Sequence, residues 1–350
     1  MDYSVNAFSK NSIIGRLMAA TGILLSALSG ICNGLFTAPM KLERRWKWEN
    51  IWFAFIVVAC LIMPPVFVFP AVPAWREVLA AAPSGAIFSA LSFGFAWGFG
   101  AICFGRSVDR LGVSIANSLV IGLSSALGSL VPLIMTGALR VDTRQLVLFG
   151  GVITFLIGVW LCGLAGRLRD GTGNSAANAT AAGYLFAIVA GVMSAVFNVG
   201  YTLALPIAEA GVKMGYSRFS ATNCIWLLML GAGSAPNIAY CLFLMTRNKS
   251  AGLMVSRPAA RSWVLSVAMG LLWGGSIFLY GAATPRLGNI GPSIGWPLSL
   301  AVGLVVANLM GVLLGEWRGV GEPAVRKMTW GVLTLIVAIV ICAVSTRFGA

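Results

Sequence analysis

Apolar residues in this chain do not alternate with polar ones at the period of a strand or a surface helix. They run in blocks of about twenty residues, broken by short polar or Gly- and Pro-containing stretches. A helix needs roughly 20 mostly apolar residues to cross the hydrocarbon core of a bilayer. On that scale the blocks predict ten spans, at 17–38, 51–69, 85–105, 111–135, 145–165, 181–205, 219–245, 262–283, 290–314 and 329–346. The link between the third and fourth spans holds Arg106, Asp109 and Arg110, and the link between the eighth and ninth holds Arg286. Both pairs are expected to be tight antiparallel hairpins. The first block follows Lys10 and Arg16, as in a signal peptide, but it is longer than a typical apolar core of one. It is followed by Pro39, Met40 and Lys41 rather than by small residues, so it reads as a retained span.

The pattern repeats once. Residues 94–112 (GFAWGFGAICFGRSVDRLG) and 270–288 (GLLWGGSIFLYGAATPRLG) match without gaps at seven positions, 176 residues apart, among them Trp97/Trp273, Gly98/Gly274 and Arg110/Arg286. The first segment belongs to span 3 and the second to span 8, so each half holds five helices. Five is odd, and the second half therefore enters the membrane from the opposite side. The expected fold is an all-α integral membrane bundle of ten transmembrane helices, built as two inverted five-helix repeats. Residues 1–166 form the first repeat, 167–180 a linker rich in Gly, Asn and Ala, and 181–350 the second repeat. Inverted repeats typify secondary transporters, where two related halves rock about a central site.

Composition agrees with this class. Hydrophobic residues make up 59% of the 350 and charged residues 10%, against about 25% charged in soluble domains; the mean hydropathy is +0.90. The surroundings must be largely lipid. A net charge of +14 does not indicate nucleic acid, because the basic residues sit between apolar blocks and form no continuous face. Fifteen of the 24 follow odd-numbered spans. By the positive-inside rule those loops are expected in the cytoplasm and both termini outside.

The chain has no His, and its seven cysteines are scattered without metal-ligand spacing. No metal, cofactor or disulfide framework is expected. None of the ten carboxylates falls at the centre of a span, so a membrane-embedded enzyme lacks an acid–base pair. The same shortage constrains a proton carrier, which usually keeps a titratable group beside its cavity. Only Asp109, Glu209 and Glu316 border the hydrocarbon. They are the proton-coupling candidates, and the plainer reading of each is a helix-end charge.

The groups within the spans are neutral and polar: Asn33, Asn117, Ser124, Ser194, Asn198, Tyr201, Asn223, Trp296, Ser299 and Asn308. Amides donate and accept hydrogen bonds, which suits a polyhydroxylated solute. Indole faces suit the CH faces of a pyranose. Trp97 and Trp273 sit mid-span, where an indole has no interfacial reason to be, and are expected to face each other across a central cavity. Asn33, Asn198, Tyr201 and Asn117 are expected to supply its polar contacts. The alternative is that these groups only pack helix against helix. Trp46, Trp48, Trp52, Trp317 and Trp330, at span ends, read as interfacial anchors. The residues alone leave open a neutral-sugar carrier, another metabolite carrier working as exporter or facilitator, and a membrane sugar sensor that does not transport.

Four stretches carry a family resemblance across essentially the whole chain: APMKLERRWKWENIW (Ala38–Trp52), FAWGFGAICFGRSVDRLG from Phe95, MSAVFNVGYTLALP (Met193–Pro206) and LLGEW (Leu313–Trp317). They resemble the L-rhamnose–proton symporter family of the drug/metabolite transporter superfamily. The resemblance implies ten spans, an inverted repeat and proton-coupled sugar uptake across the inner membrane, with L-rhamnose the leading substrate. The chain departs from the family pattern at Asp109-Arg110 and at GPSIGWP (Gly291–Pro297), which is less polar than its counterpart.

Overall fold

A computed structural model of the chain describes residues 2–111, 113–170, 181–257 and 259–349, with the side chains of 2–14, 108, 109, 113–115, 117, 170 and 349 outside the description. Every regular element among the described residues is helical. In hydrocarbon each backbone N–H and C=O must find its partner within the protein, and a helix provides that within itself. Among the described residues, ten helices are long and apolar enough to span a membrane. Span 1 is Asp2–Leu35, continued past a turn by Ala38–Leu42. Span 2 covers Trp48–Ala71. Spans 3 to 5 are Ser84–Leu111, Val113–Met135 and Thr143–Asp170. Spans 6 and 7 are Ala181–Lys213 and Arg218–Arg247. Span 8 is Ala260–Ala283, closed by a 3-10 turn at Thr284–Leu287, and spans 9 and 10 are Gly291–Leu313 and Glu322–Ser345.

The ten expected spans are all present, and most helices overrun the lipid-sized block by a turn or more. Both expected hairpins are tight: one residue separates spans 3 and 4. Helix covers 167–170, the start of the stretch expected as a linker, and the rest of that stretch, 171–180, lies outside the described residues.

Lipid tails are as apolar as leucine, so helices in a membrane are held by close packing and hydrogen bonds. The two WG motifs provide the close packing. A Cβ on Gly94 would lie 2.3 Å from Met229 O, and one on Gly98 2.4 Å from Gly233 O, both on span 7. In the other half, a Cβ on Gly270 would meet Val58 at 2.6 Å and one on Gly274 would meet Met63 at 2.4 Å, both on span 2. Each third helix therefore presses its glycines on the second helix of the opposite half. That second helix carries proline near the contact in both cases. Span 2 widens into a π-helical turn at Val57–Ile62, just before Pro64 and Pro65, which lack the N–H that would continue the α ladder. Span 7 carries Pro236, whose ring lies against Gly98. There the Asn237 amide donates to Gly98 O (3.1 Å) and Gly233 O (3.0 Å) and accepts from Trp52 Nε1 (3.0 Å).

Further contacts are matched in the same way. Gly22 of span 1 packs on Arg286 and Leu287, and Gly183 of span 6 packs on Arg110 and Leu111. Spans 5 and 10 pair with each other, with Gly158 against Leu335 and Gly331 against Cys162.

The loops after spans 1 and 7 touch. Asn248 and Ser250 donate to the buried Glu49 carboxylate at 2.9 and 2.7 Å, and Trp46 Nε1 donates to Leu253 O at 3.1 Å. Glu43 organises the turn before them by accepting the N–H groups of Arg44, Arg45 and Trp46. Partial burial pushes its carboxyl up, but those N–H groups outweigh it and hold the pKa below the usual carboxylate value. Trp46 and Trp52 are therefore not interfacial anchors. Both are 7% exposed, because each indole N–H reaches a partner on another helix or loop. Trp330, at 59% exposed, does face outward.

Gly94→Ala should lower the melting temperature by several degrees, because a rigid backbone oxygen occupies the new methyl's place and overpacking costs about 1–3 kcal/mol. Gly275→Ala, with open space around the same construction, should leave it unchanged or raise it, since Ala favours helix by up to ~1 kcal/mol. Thermal unfolding of the two purified variants checks the contrast.

Candidate functional site

A cavity of about 230 Å³ lies among spans 1, 2, 3, 4, 6, 8 and 9, below the about 300–1,000 Å³ of drug-sized pockets and on the scale of one small solute. Its walls come from the ends of spans 1, 3 and 9 (Asn33 to Thr37, Trp97 to Phe104, Gly303 to Ala307) and the beginnings of spans 2, 4 and 6 (Trp52, Phe55, Val120, Ile121, Ala190, Ser194). Those segments lead to the loops that follow odd-numbered spans, and Tyr280 of span 8 and Trp296 of span 9 form the deep end, so the cavity lies mainly toward that face.

The lining follows the repeat. Span 3 contributes Trp97, Gly100, Ala101 and Phe104, and span 8 contributes Trp273, Ser276, Ile277 and Tyr280, each 176 residues further on. Spans 1 and 6 contribute Ser29, Asn33 and Phe36 against Ala190, Ser194 and Phe197, which are 161 residues apart, as Gly22 and Gly183 are. The positions match but their chemistry does not. Span 8 places hydroxyls at Ser276 and Tyr280 where span 3 has Gly100 and Phe104. Span 1 has Ser29 where span 6 has Ala190.

Polar groups thus gather on the side of spans 1, 8 and 9. Ser29 Oγ donates to Ser276 O (2.8 Å) and pairs with Ser299 Oγ (2.9 Å). Asn33 is half-buried on the cavity wall, and its amide has no hydrogen-bond partner among the described residues. Opposite, Trp296 Nε1 is held by Ser124 O and Oγ (3.2 and 3.1 Å), and Ser124 Oγ also donates to Ser194 (2.8 Å). No carboxylate, Lys or Arg among the described residues lines the cavity. Its contents meet aromatic faces, hydroxyls and one free amide.

Trp97 and Trp273 both line the cavity, but they do not face each other across open space. Their rings stack directly, with centroids 5.1 Å apart and planes 14° apart. An indole reaching inward from each of two helices fills the gap between them, and no sugar ring fits there. Phe197 flanks Trp97 at 5.1 Å and Phe55 flanks Trp273 at 5.7 Å. The stack is thus part of an aromatic wall.

Asn198 and Tyr201 lie behind the cavity, fully buried. Asn198 Nδ2 donates to Gly128 O (2.8 Å) and Pro292 O (3.3 Å), and its Oδ1 accepts from the Tyr280 hydroxyl. Tyr201 pairs with the Thr284 hydroxyl (2.6 Å) and stacks on Trp226 at 4.6 Å. The side chains of Asn117 and Asp109 lie outside the described residues. Glu316, in the turn after span 9, is paired with Lys41 and with Arg169 (3.1 Å), and the Arg169 guanidinium lies over Trp317. Glu209 is paired with Arg218 at the opposite face.

Tyr280, Trp52, Phe55 and Phe197 line the cavity without having been singled out in the sequence. Tyr280 was within reach, since the repeat register that relates Trp97 to Trp273 also relates Phe104 to Tyr280. Trp52 and Phe55 follow Trp48 at helical spacing, which puts an aromatic face where Trp48 and Trp52 were expected only as interfacial anchors.

A solved structure matches this fold with a TM-score of 0.55 at 14% identity, covering 95% of this chain and 97% of that one; the likeness is one of fold. Among curated proteins, the L-rhamnose-proton symporters of Citrobacter koseri and Cronobacter sakazakii are 25% and 27% identical to the chain. They cover 90% and 91% of it and 94% and 95% of themselves. The family model for the L-rhamnose-proton symport protein matches residues 12–347. With ten spans around a central cavity of matched helices, the chain belongs to the L-rhamnose-proton symport protein family.

Proposed function

We propose that this protein carries a neutral sugar, L-rhamnose, across the inner membrane together with a proton, and that it catalyses no covalent reaction. One observation carries the reading. The central cavity presents aromatic faces, serine hydroxyls and the unpaired Asn33 amide, with no charged side chain among its described residues. Such a lining binds a small polyhydroxylated solute through CH–aromatic contacts and amide and hydroxyl hydrogen bonds. The family membership and the names of its relatives point to the same solute.

Transport works by alternating access between two inverted five-helix repeats, 1–166 and 181–350. The matched lining of spans 3 and 8, and of spans 1 and 6, supports this division. The excess of basic residues after odd-numbered spans supports a cytoplasmic position for those loops, and the cavity then faces inward. Thiol labelling of single cysteines in 41–47 and at the C-terminus checks the orientation. Labelling of both from one face would contradict it.

Coupling is assigned to a carboxylate at a span end, Glu316 or Asp109 ahead of Glu209. Glu316 ties the loop after span 1 to the end of span 5 through Lys41 and Arg169. Neutralising it would release both cations and loosen the face on which the cavity lies. Glu316→Gln is expected to abolish accumulation driven by a pH gradient while leaving sugar affinity within about two-fold. If Glu316→Gln, Asp109→Asn and Glu209→Gln all accumulate sugar fully, protons do not couple through these groups.

The site itself is tested at the indole stack. A stacked aromatic contributes about 0.5–1.5 kcal/mol beyond its buried area. Trp273→Ala should therefore weaken L-rhamnose binding at least several-fold, and Trp273→Phe much less. A purely structural indole would lower the melting temperature and leave the affinity of the folded protein unchanged. Calorimetric titration and thermal unfolding on the same preparations separate the two.

A further inference from the structure

A second cavity, of about 530 Å³, opens toward the face opposite the central one. It is lined by Glu209, Arg218, Thr284, Arg286, Asn289 and Pro292, among others. The layer between the two cavities holds two hydrogen-bonded groups, one around Asn198 and one at Tyr201. Tyr280 lines the central cavity, while its hydroxyl bonds Asn198 Oδ1 and lies 3.4 Å from Pro292 O. Pro292 lines the outer cavity. Beside it, Tyr201 bonds Thr284, which also lines the outer cavity. A single residue, Tyr280, thus touches the central cavity with its ring and the closing layer with its hydroxyl.

The repeat shows that this closure has no chemical equal on the other face. At the register of 176 residues Tyr280 corresponds to Phe104, and at the register of 161 Asn198 corresponds to Thr37. Phe104 and Thr37 line the open mouth of the central cavity. When that mouth closes, the phenyl ring of Phe104 brings no hydroxyl to the matching place.

We propose that the Tyr280 hydroxyl is the latch of the outer gate, a positioning group that keeps the central cavity shut from the outer one by its bond to Asn198. A sugar in the central cavity competes for that hydroxyl and so favours opening. Among the described residues, Tyr280 is the one whose side chain both lines the central cavity and bonds the Asn198 side chain. The closed layer is also incompletely satisfied. Trp226, stacked on Tyr201, has its Nε1 buried with no hydrogen-bond partner among the described residues. Admitting water on opening offsets part of the loss of the latch. The competition by sugar rests on the rhamnose reading above; the latch does not.

The test is sided thiol labelling. Leu300, on the central cavity wall, is replaced by Cys in a full-length chain whose seven native cysteines are changed to Ser or Ala. Oriented vesicles are exposed to a membrane-impermeant maleimide from the outer-cavity face. Labelling should be slow with Tyr280 present and at least several-fold faster in Tyr280→Phe, which keeps the ring and removes only the hydroxyl. Asn198→Ala, measured in parallel, should show the same increase, so the loss of one variant to misfolding leaves the other decisive. Saturating L-rhamnose should speed labelling when Tyr280 is present and add little in Tyr280→Phe. Unchanged outer-face labelling in the folded variants overturns the latch. Faster labelling in the variants with no response to L-rhamnose supports the latch and overturns the sugar reading alone.

Discussion

The whole arrangement depends on helices approaching closely in a solvent that does not push them together. Lipid offers no hydrophobic gain for helix association, so backbones must come near enough for dispersion and weak Cα–H···O contacts to hold them. The glycines of the two WG motifs allow this. With Gly94 and Gly98 against span 7, and Gly270 and Gly274 against span 2, a methyl at any of the four would collide with the facing helix. The same seams bring Trp97 and Trp273, one residue before Gly98 and Gly274, into contact at the centre. The aromatic wall of the cavity is therefore a consequence of the packing that closes the bundle.

Two nearly equivalent halves make the cavity, and their small inequalities give it a chemistry. Equal halves would present equal walls. Instead Ser276 and Tyr280 stand where the first half has Gly100 and Phe104, and Ser29 stands where the second has Ala190. Hydroxyls thus gather mainly on one side of the cavity, with Ser194 on the other. The same inequality separates the two faces of the molecule. One face is closed through Tyr280, Asn198 and Thr284, where the other has Phe104 and Thr37 at the first two of the matching positions. Charge is kept to the span ends, in the pairs of Glu316 with Lys41 and Arg169 and of Glu209 with Arg218, where water and opposite charge lower its cost.

The span count, the all-helical class and the tight hairpins were legible in the sequence, because each rests on the length of the apolar blocks and of the links between them. The direct stacking of Trp97 on Trp273 was not, since depth along a helix says nothing about how far a side chain reaches sideways. Asn198 and Tyr201 have the chemistry of a sugar site, yet they lie one layer behind it, a difference of rotation about the helix axis that composition does not encode. Trp52 was hidden by its position near a helix start, where an indole normally anchors at the interface; its bond to Asn237 across the bundle depends on a fold that pairs spans 2 and 7. Tyr280 was hidden only by the conservative look of a Phe-to-Tyr exchange between repeats.

Uptake of labelled L-rhamnose by the purified protein in proteoliposomes tests the central claim most directly. With a pH gradient, acidic outside, the sugar should accumulate well above its external concentration, and a proton ionophore should reduce it to equilibrium. Equilibration that ignores the gradient would contradict proton coupling, and no uptake at all would contradict the assignment of the cavity to this sugar.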